Sequence, residues 1–154
     1  MAELTLESSA FEHNGEIPSK YTCDGENINP PLVISGVDSD AQSLVLIMDD
    51  PDIPKGINEE NVWDHWIVFN IPSGTTAIAE GSEPNGVAGI GTSGKMGYQG
   101  PCPPDREHRY IFMVYALDAE LNLEEGATKQ KVKDAMAGHI LQKAELIGLY
   151  DRNK

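Results

Sequence analysis

Residues 44 to 70 constrain the fold most: Leu-Val-Leu-Ile-Met-Asp-Asp-Pro-Asp-Ile-Pro, a polar loop, then Val-Trp-Asp-His-Trp-Ile-Val-Phe-Asn. Two apolar runs of strand length flank a loop that carries Asp49, Asp50, Pro51, Asp52 and Pro54, and His65 stands near the start of the second run. Downstream of His65 the chain is apolar on both faces, as a buried central strand is. Charged and titratable groups at the ends of such strands are costly unless paired, so the mouth of these strands is where chemistry is expected.

A chain of 154 residues can bury a sizeable core as one domain spanning 1–154, without an obligatory disulfide or structural metal. Its 25 acidic and 11 basic residues give a net charge of -14, a surface that repels nucleic-acid phosphates and anionic bilayers. Nucleic-acid binding and stable membrane association are therefore disfavoured. The start, Met-Ala-Glu-Leu-Thr-Leu-Glu, has neither a basic leader nor a long apolar run, and no stretch approaches transmembrane length. A soluble, cytoplasmic protein is expected. Cys23 and Cys102 fit neither a CxxC pattern nor a zinc knuckle; in a reducing compartment two isolated thiols are by default small buried residues, and a disulfide between them is left open.

In chain order, residues 4–11 alternate in part and run into the turn signal Asn14-Gly15, which predicts an outer strand. Leu32-Val33-Ile34 follows Pro30-Pro31 as a short strand. Strands are predicted over 43–48, 62–71 and 108–117, with 49–61 a loop rich in proline and acid. The stretch 72–104 is rich in Gly and Pro, with only 75–79 strand-like, and is too long for an ordinary connection. Residues 128–140 read as a helix capped by Thr128, with Val132, Ala135, Met136, His139 and Ile140 on one face, and 144–150 read as a last strand. Many short strands, abundant turns and one late helix indicate a mainly β protein of stacked, mostly antiparallel sheets.

Gly89-Ile-Gly-Thr-Ser-Gly-Lys95 matches GxGxxG and part of a P-loop, but Met96 follows the lysine and Gly97, Gly100 and Pro101 preclude the helix that a phosphate loop needs. A glycine loop whose amides line a pocket is the plainer reading. Trp63 and His65 are two apart and share a strand face, as do His108 and Tyr110. If the two strand entrances lie at one end, both imidazoles converge, with Asp50 or Asp52 available to orient them, and two protonated imidazoles suit a phosphate or carboxylate anion. For either histidine alone a core role bonded to backbone is as good a reading. Asp49, Asp50 and Asp52 with His65 lack both EF-hand and zinc-site spacing, so no metal and no cofactor are expected; Asp49 is read as a solvated or turn-capping acid. No Ser-His-Asp order or GxSxG elbow is present. Acid-base work by Asp50 and His65, as in a hydrolase, is the alternative to pure binding. His139 is expected in the core, His13 and Glu120, Glu124 and Glu125 at the surface, and Pro101, Pro103 and Pro104 around Cys102 make a stiff rim.

Asp50-Pro51-Asp52-Ile53-Pro54, Trp63-Asp64-His65-Trp66 and Gly100-Pro101-Cys102-Pro103-Pro104 followed by His108-Arg109-Tyr110 together resemble the phosphatidylethanolamine-binding protein family, also called Raf kinase inhibitor-like proteins. Tyr21-Thr22-Cys23-Asp24-Gly25 and Pro30-Pro31-Leu32 resemble its prokaryotic branch. The resemblance implies two antiparallel sheets of Greek-key type with one or two short helices near the C-terminus. It also implies a small pocket for phosphate-like groups such as phosphorylethanolamine. Asp50, His65, His108 and Tyr110 would lie in that pocket, Trp63 and Gly100 to Pro104 would form its wall and rim, and Asp52 would support the loop. Eukaryotic relatives act on kinase signalling and some prokaryotic ones form homodimers, so a kinase-type protein partner and a homodimer are implied as well. The extra C-terminal helix of longer relatives is not expected here, which leaves the pocket open or covered by a second copy.

Overall fold

The computed structural model describes residues 3–152. In chain order its elements are β1 (Thr5–Glu7), β2 (Gly15–Glu16), a 3-10 turn (Ser19–Tyr21), β3 (Leu32–Ser35), β4 (Ser43–Asp50), β5 (Trp63–Pro72), β6 (Ala77–Ile78), β7 (Val87–Ala88), β8 (His108–Leu117), α1 (Lys129–Met136) and β9 (Ile140–Tyr150). The large sheet runs β2-β9-β8-β4-β5-β7 and the small one β1-β3-β6. Pairing is antiparallel except where β2 lies parallel to the end of β9.

The unbroken apolar run of β4 is divided between two layers. Leu44, Leu46 and Met48 face the small sheet, where they meet Leu6, Leu32, Ile34, Phe112 and Val114; Val45 and Ile47 face the other way, toward Val132 and Met136 of α1. A strand covered on both sides has no use for polar alternation, and each such side chain contributes about 1.5–3 kcal/mol by leaving water. Strands β4, β5 and β8 thus form a rigid centre whose ends carry the titratable residues.

Two irregularities decide where side chains point. Met48 pairs with Trp66 but Asp49 pairs with Asp64, so His65 is the extra residue of a β-bulge. Through the bulge, Trp63 and His65 end on the same side as Trp66, facing the small sheet, while Asp64 turns to the α1 side. The other is the end of α1. Thr128 caps it as predicted, accepting from the Lys131 amide at 3.3 Å. The helix stops at Met136, short of the expected residue 140, because Gly138 takes a left-handed conformation (φ 84°) that reverses the chain. Ile140 therefore opens β9, and His139, expected in the core, is exposed and bonded to Asp118 at 2.8 Å.

Candidate functional site

At the end of the central strands lies a cavity of about 340 Å³. Asp50 from β4, Trp63 and His65 from β5, and His108 and Tyr110 from β8 line it, with Gly100, Pro103 and Pro104 on the loop that closes it. The converging strand mouths expected from the sequence are thus one place. Its walls are mostly apolar, with Ile53, Pro54 and Ile57 from the loop after β4. A larger hollow of about 660 Å³ between β1 and β9 is edged by Glu3, Glu7, Glu12, Lys143 and Glu145. Size alone does not mark a site, since that hollow gathers no buried titratable group.

His108 is buried at 1% exposure, and both its nitrogens meet carboxylates: Nδ1 lies 2.6 Å from Asp50 Oδ2 and Nε2 lies 2.6 Å from Asp105 Oδ1. Both acceptors are satisfied at once only when the ring carries two N–H groups. The bond to His108 holds the Asp105 carboxyl below its ordinary range. Asp50 Oδ1 accepts from the Asp52 amide at 2.7 Å, so this aspartate fixes the loop turn and the imidazole together. Asp50 thereby orients His108 and has no hydrogen bond to His65.

His65 is held differently. Its Nδ1 donates to the Gln99 carbonyl at 2.7 Å, which leaves Nε2 as the lone-pair nitrogen of a neutral ring. Burial pushes its pKa below the usual 6.5, against the opposing pull of Gln99, Asp50 and Asp64. The expectation of two protonated imidazoles is therefore corrected: burial keeps the second ring neutral, and the Gln99 carbonyl fixes which nitrogen carries its proton.

Between the rings stands Tyr110, wholly buried. Its ring is edge-on to His65 at 5.3 Å and near-parallel to His108 at 6.3 Å. Burial, and then the nearby Asp50 charge, raise its pKa far above the usual 10, so it stays a phenol with a proton to donate. Among the described residues none makes a well-formed hydrogen bond to its hydroxyl, which lies near the Asp50 carboxylate and the Cys102 backbone. A buried hydroxyl without a partner costs about 1–3 kcal/mol.

Asp52 is the predicted residue that the cavity does not take in. It accepts a fork from Arg109, Nε to Oδ2 and Nη2 to Oδ1, each at 2.9 Å, and Oδ2 also accepts the Arg109 amide at 2.9 Å. The Arg109 bonds hold its carboxyl below the ordinary range, and the pair ties the loop after β4 to the start of β8.

Asp105 and Lys129 are residues the sequence reading missed, Asp49 is one it misplaced, and the Cys23–Cys102 pairing is one it left open. Asp105 on His108 was signalled only by an i, i+3 spacing in a loop. Lys129 is buried and reaches Asp49 Oδ2 at 3.3 Å and Asp64 Oδ1 at 2.5 Å, closing an ion cluster on the α1 side. Asp49 is thus a partner of a buried cation and neither solvated nor a turn cap; its alternation with Asp50 was the signal. Cys23 and Cys102 are joined in a disulfide, Cα to Cα 5.5 Å, and both are exposed on the cavity's rim, not buried as thiols. The bond clips the turn at Ser19–Tyr21 to the proline loop, where Gly100 packs so closely on Tyr21 and Asn27 that a Cβ would come within 2.3 Å of Asn27 Oδ1.

The Gly89–Lys95 loop is no phosphate cradle: the amides of Gly89, Gly91 and Thr92 donate to the carbonyls of Ile67, Lys95 and Asp64. Among the described residues no three His, Cys, Asp or Glu side chains are grouped as metal ligands, and no helix is long and apolar enough to cross a membrane.

Comparison with known proteins shows the family and the fold. The family model described as phosphatidylethanolamine-binding protein matches residues 7–151. A UPF0098 protein of Methanothermobacter thermautotrophicus is 52% identical over 97% of this chain and 99% of its own length. The crystal structure of a putative phosphatidylethanolamine-binding protein homolog, CT736 of Chlamydia trachomatis, superposes with a TM-score of 0.95 at 47% identity, covering 99% of both chains. That of YbcL of E. coli, described as a member of the mammalian PEBP family, gives 0.86 at 28% identity over 97% of this chain and 98% of that one.

Proposed function

The chain belongs to the phosphatidylethanolamine-binding protein family, and on that premise we propose that it binds a small anionic group, phosphate or a phosphorylethanolamine-like monoester, in the cavity at the ends of β4, β5 and β8. The observation that carries the reading is the Tyr110 hydroxyl, buried without a hydrogen-bond partner among the described residues, on a ring packed edge-on against that of His65, whose Nδ1 is taken by the Gln99 carbonyl. A phosphate oxygen accepts from the phenol. A protonated phosphate oxygen donates to Nε2, or the imidazole itself takes up a proton as the anion arrives. Either way one proton enters with the ligand, so affinity rises as pH falls. Trp63, Pro103 and Pro104 exclude water around the seat, Asp50 keeps His108 aimed, and Gly100 admits the close loop packing that sets the rim.

Titration calorimetry with inorganic phosphate and with phosphorylethanolamine tests this. We expect saturable binding by the wild type that strengthens from pH 8 to pH 6 and is lost in His65→Ala and weakened in Tyr110→Phe. Equal binding by all three proteins would remove the cavity from consideration.

Regulation of a kinase-type protein partner would draw on the same chemistry, because a phosphorylated side chain presents the same oxygens to the same rim; a pull-down with Pro103→Ala reads it. Homodimerisation is supported by the exposed Ile140 and Leu141 at the start of β9, and light scattering reads it. A cytoplasmic location fits only a cytoplasm in which the Cys23–Cys102 bond persists. The hydrolase alternative gains nothing from the geometry, since both oxygens of Asp50 are engaged by His108 and the Asp52 amide instead of His65.

A further inference from the structure

We infer that Asp105 is an internal stand-in for the ligand: its carboxylate occupies Nε2 of His108, and an incoming anion binds by exchanging with it. The inference rests on the anion-binding reading of the cavity and adds how the second imidazole becomes available.

The first observation is a surplus of charge. One imidazole lies between two carboxylates, Asp50 and Asp105, each at 2.6 Å. The two differ in how firmly they are held. Asp50 is 2% exposed, belongs to β4 and has its other oxygen committed to the Asp52 amide. Asp105 belongs to a loop, its side chain is 42% exposed, and among the described residues His108 is its one partner outside its immediate chain neighbour, Arg106. Of the two, only Asp105 can leave without unbuilding a strand end.

The second observation is a place to go. The Arg106 Nε stands 3.9 Å from Asp105 Oδ2, and its guanidinium is anchored by Nη2 on the Asp52 carbonyl at 3.2 Å and Nη1 on the Glu107 carbonyl at 3.2 Å. A carboxylate that swings off His108 meets a fixed cation in solvent. The loop itself is held on its N-terminal side by the Cys23–Cys102 bond and by Pro103 and Pro104, so the movement required is one side-chain rotation and not a loop opening.

The exchange also sets a preference. Replacing one carboxylate by one monoanion at Nε2 leaves the charge of the His108 cluster as it was, whereas a dianion adds one negative charge beside Asp50. Monoanionic phosphate, or a monoester carrying one charge, is thus the form that fits without further proton uptake, and the remaining phosphate oxygens reach toward Tyr110 and His65.

The test is calorimetric titration of inorganic phosphate into wild type, Asp105→Ala and Asp105→Asn at pH 6.5, with the His108 imidazole followed by 15N NMR. With the competitor removed, Asp105→Ala is expected to bind phosphate about tenfold more tightly, the size of one charge-assisted hydrogen bond. In the wild type the His108 Nε2 resonance is expected to move on saturation as it changes acceptor. Wild type and Asp105→Ala binding equally, or Asp105→Ala binding more weakly, would overturn the exchange while leaving the cavity reading intact. Absence of phosphate binding in all three proteins would overturn both. Asp105→Ala and Asp105→Asn alter the bond to His108, so thermal unfolding is measured beside the titration, and tighter phosphate binding by a variant still folded at the titration temperature is an effect on affinity, not on folding.

Discussion

The two faces of the strand ends in β4 and β5 carry the same chemistry to opposite conclusions. Asp49 and Asp50 are neighbours, as are Asp64 and His65, yet one of each pair turns toward α1 and the other toward the cavity. On the α1 side Lys129 closes the cluster, and the acids there are spent on holding the helix to the sheet. On the cavity side a buried phenol is left without a hydrogen-bond partner among the described residues, His65 is held through Nδ1, and an exposed carboxylate sits on the other ring. A buried polar cluster that is complete is a fastener; one left incomplete beside an opening is a seat for something else. Each face also has its own clip, ionic behind and covalent in front.

The covalent clip is expected to carry the larger effect. Cys23 and Cys102 are 79 residues apart, and opening so long a loop in the unfolded chain corresponds to about 4.5 kcal/mol in the chain-entropy model. Urea unfolding of Cys23→Ser/Cys102→Ser measures it, and weaker phosphate binding should accompany the loss because the rim loop is released. Lys129→Met comes next. It leaves two partly buried carboxylates without their cation and should cost about 3 kcal/mol while phosphate affinity is unchanged. If affinity fell as well, the two faces would not be independent.

Tyr110→Phe sharpens the contrast by reversing the sign. Removing a buried hydroxyl that has no partner should leave stability equal or raise it by about 1 kcal/mol, while phosphate binding weakens several-fold. Stability lost together with affinity would mean the phenol belongs with the fasteners.

The smallest effect is that of pH. His65 is more reluctant to take a proton when folded than the ordinary 6.5 of the unfolded chain, because burial opposes the charge. The unfolded state therefore binds more protons, and stability should begin to fall as pH drops below about 6.5, by no more than about 1.4 kcal/mol per pH unit. Asp52 and Asp105 shift in the same direction, held below the ordinary 3.8, so their contribution is present above that value and is lost as pH falls below it toward their folded-state values. A His65→Gln variant should lose the upper of these two windows and keep the lower.

Much of this was legible in the sequence because it is local. The apolar runs of β4, β5 and β8 announce strands covered on both faces, Thr128 announces its helix, and period-two spacing puts Trp63 with His65 and His108 with Tyr110. What was not legible depends on groups far apart in the chain. The pairing register alone reveals the bulge at His65. Lys129 lies 80 residues from Asp49. The Gln99 carbonyl, which fixes the tautomer of His65, is an anonymous backbone atom in a loop with no pattern to read. Local residue types identify the site's members; distant partners decide their protonation.

The most direct measurement is the 15N shift of His65 Nε2 during a phosphate titration of the wild-type protein at pH 7. If the cavity is an incomplete cluster awaiting an anion, the free protein shows a neutral ring with a lone pair at Nε2, and that nitrogen moves toward the protonated value as phosphate saturates. An Nε2 signal that stays fixed to the highest phosphate concentration, in a protein that is folded throughout, would contradict the account.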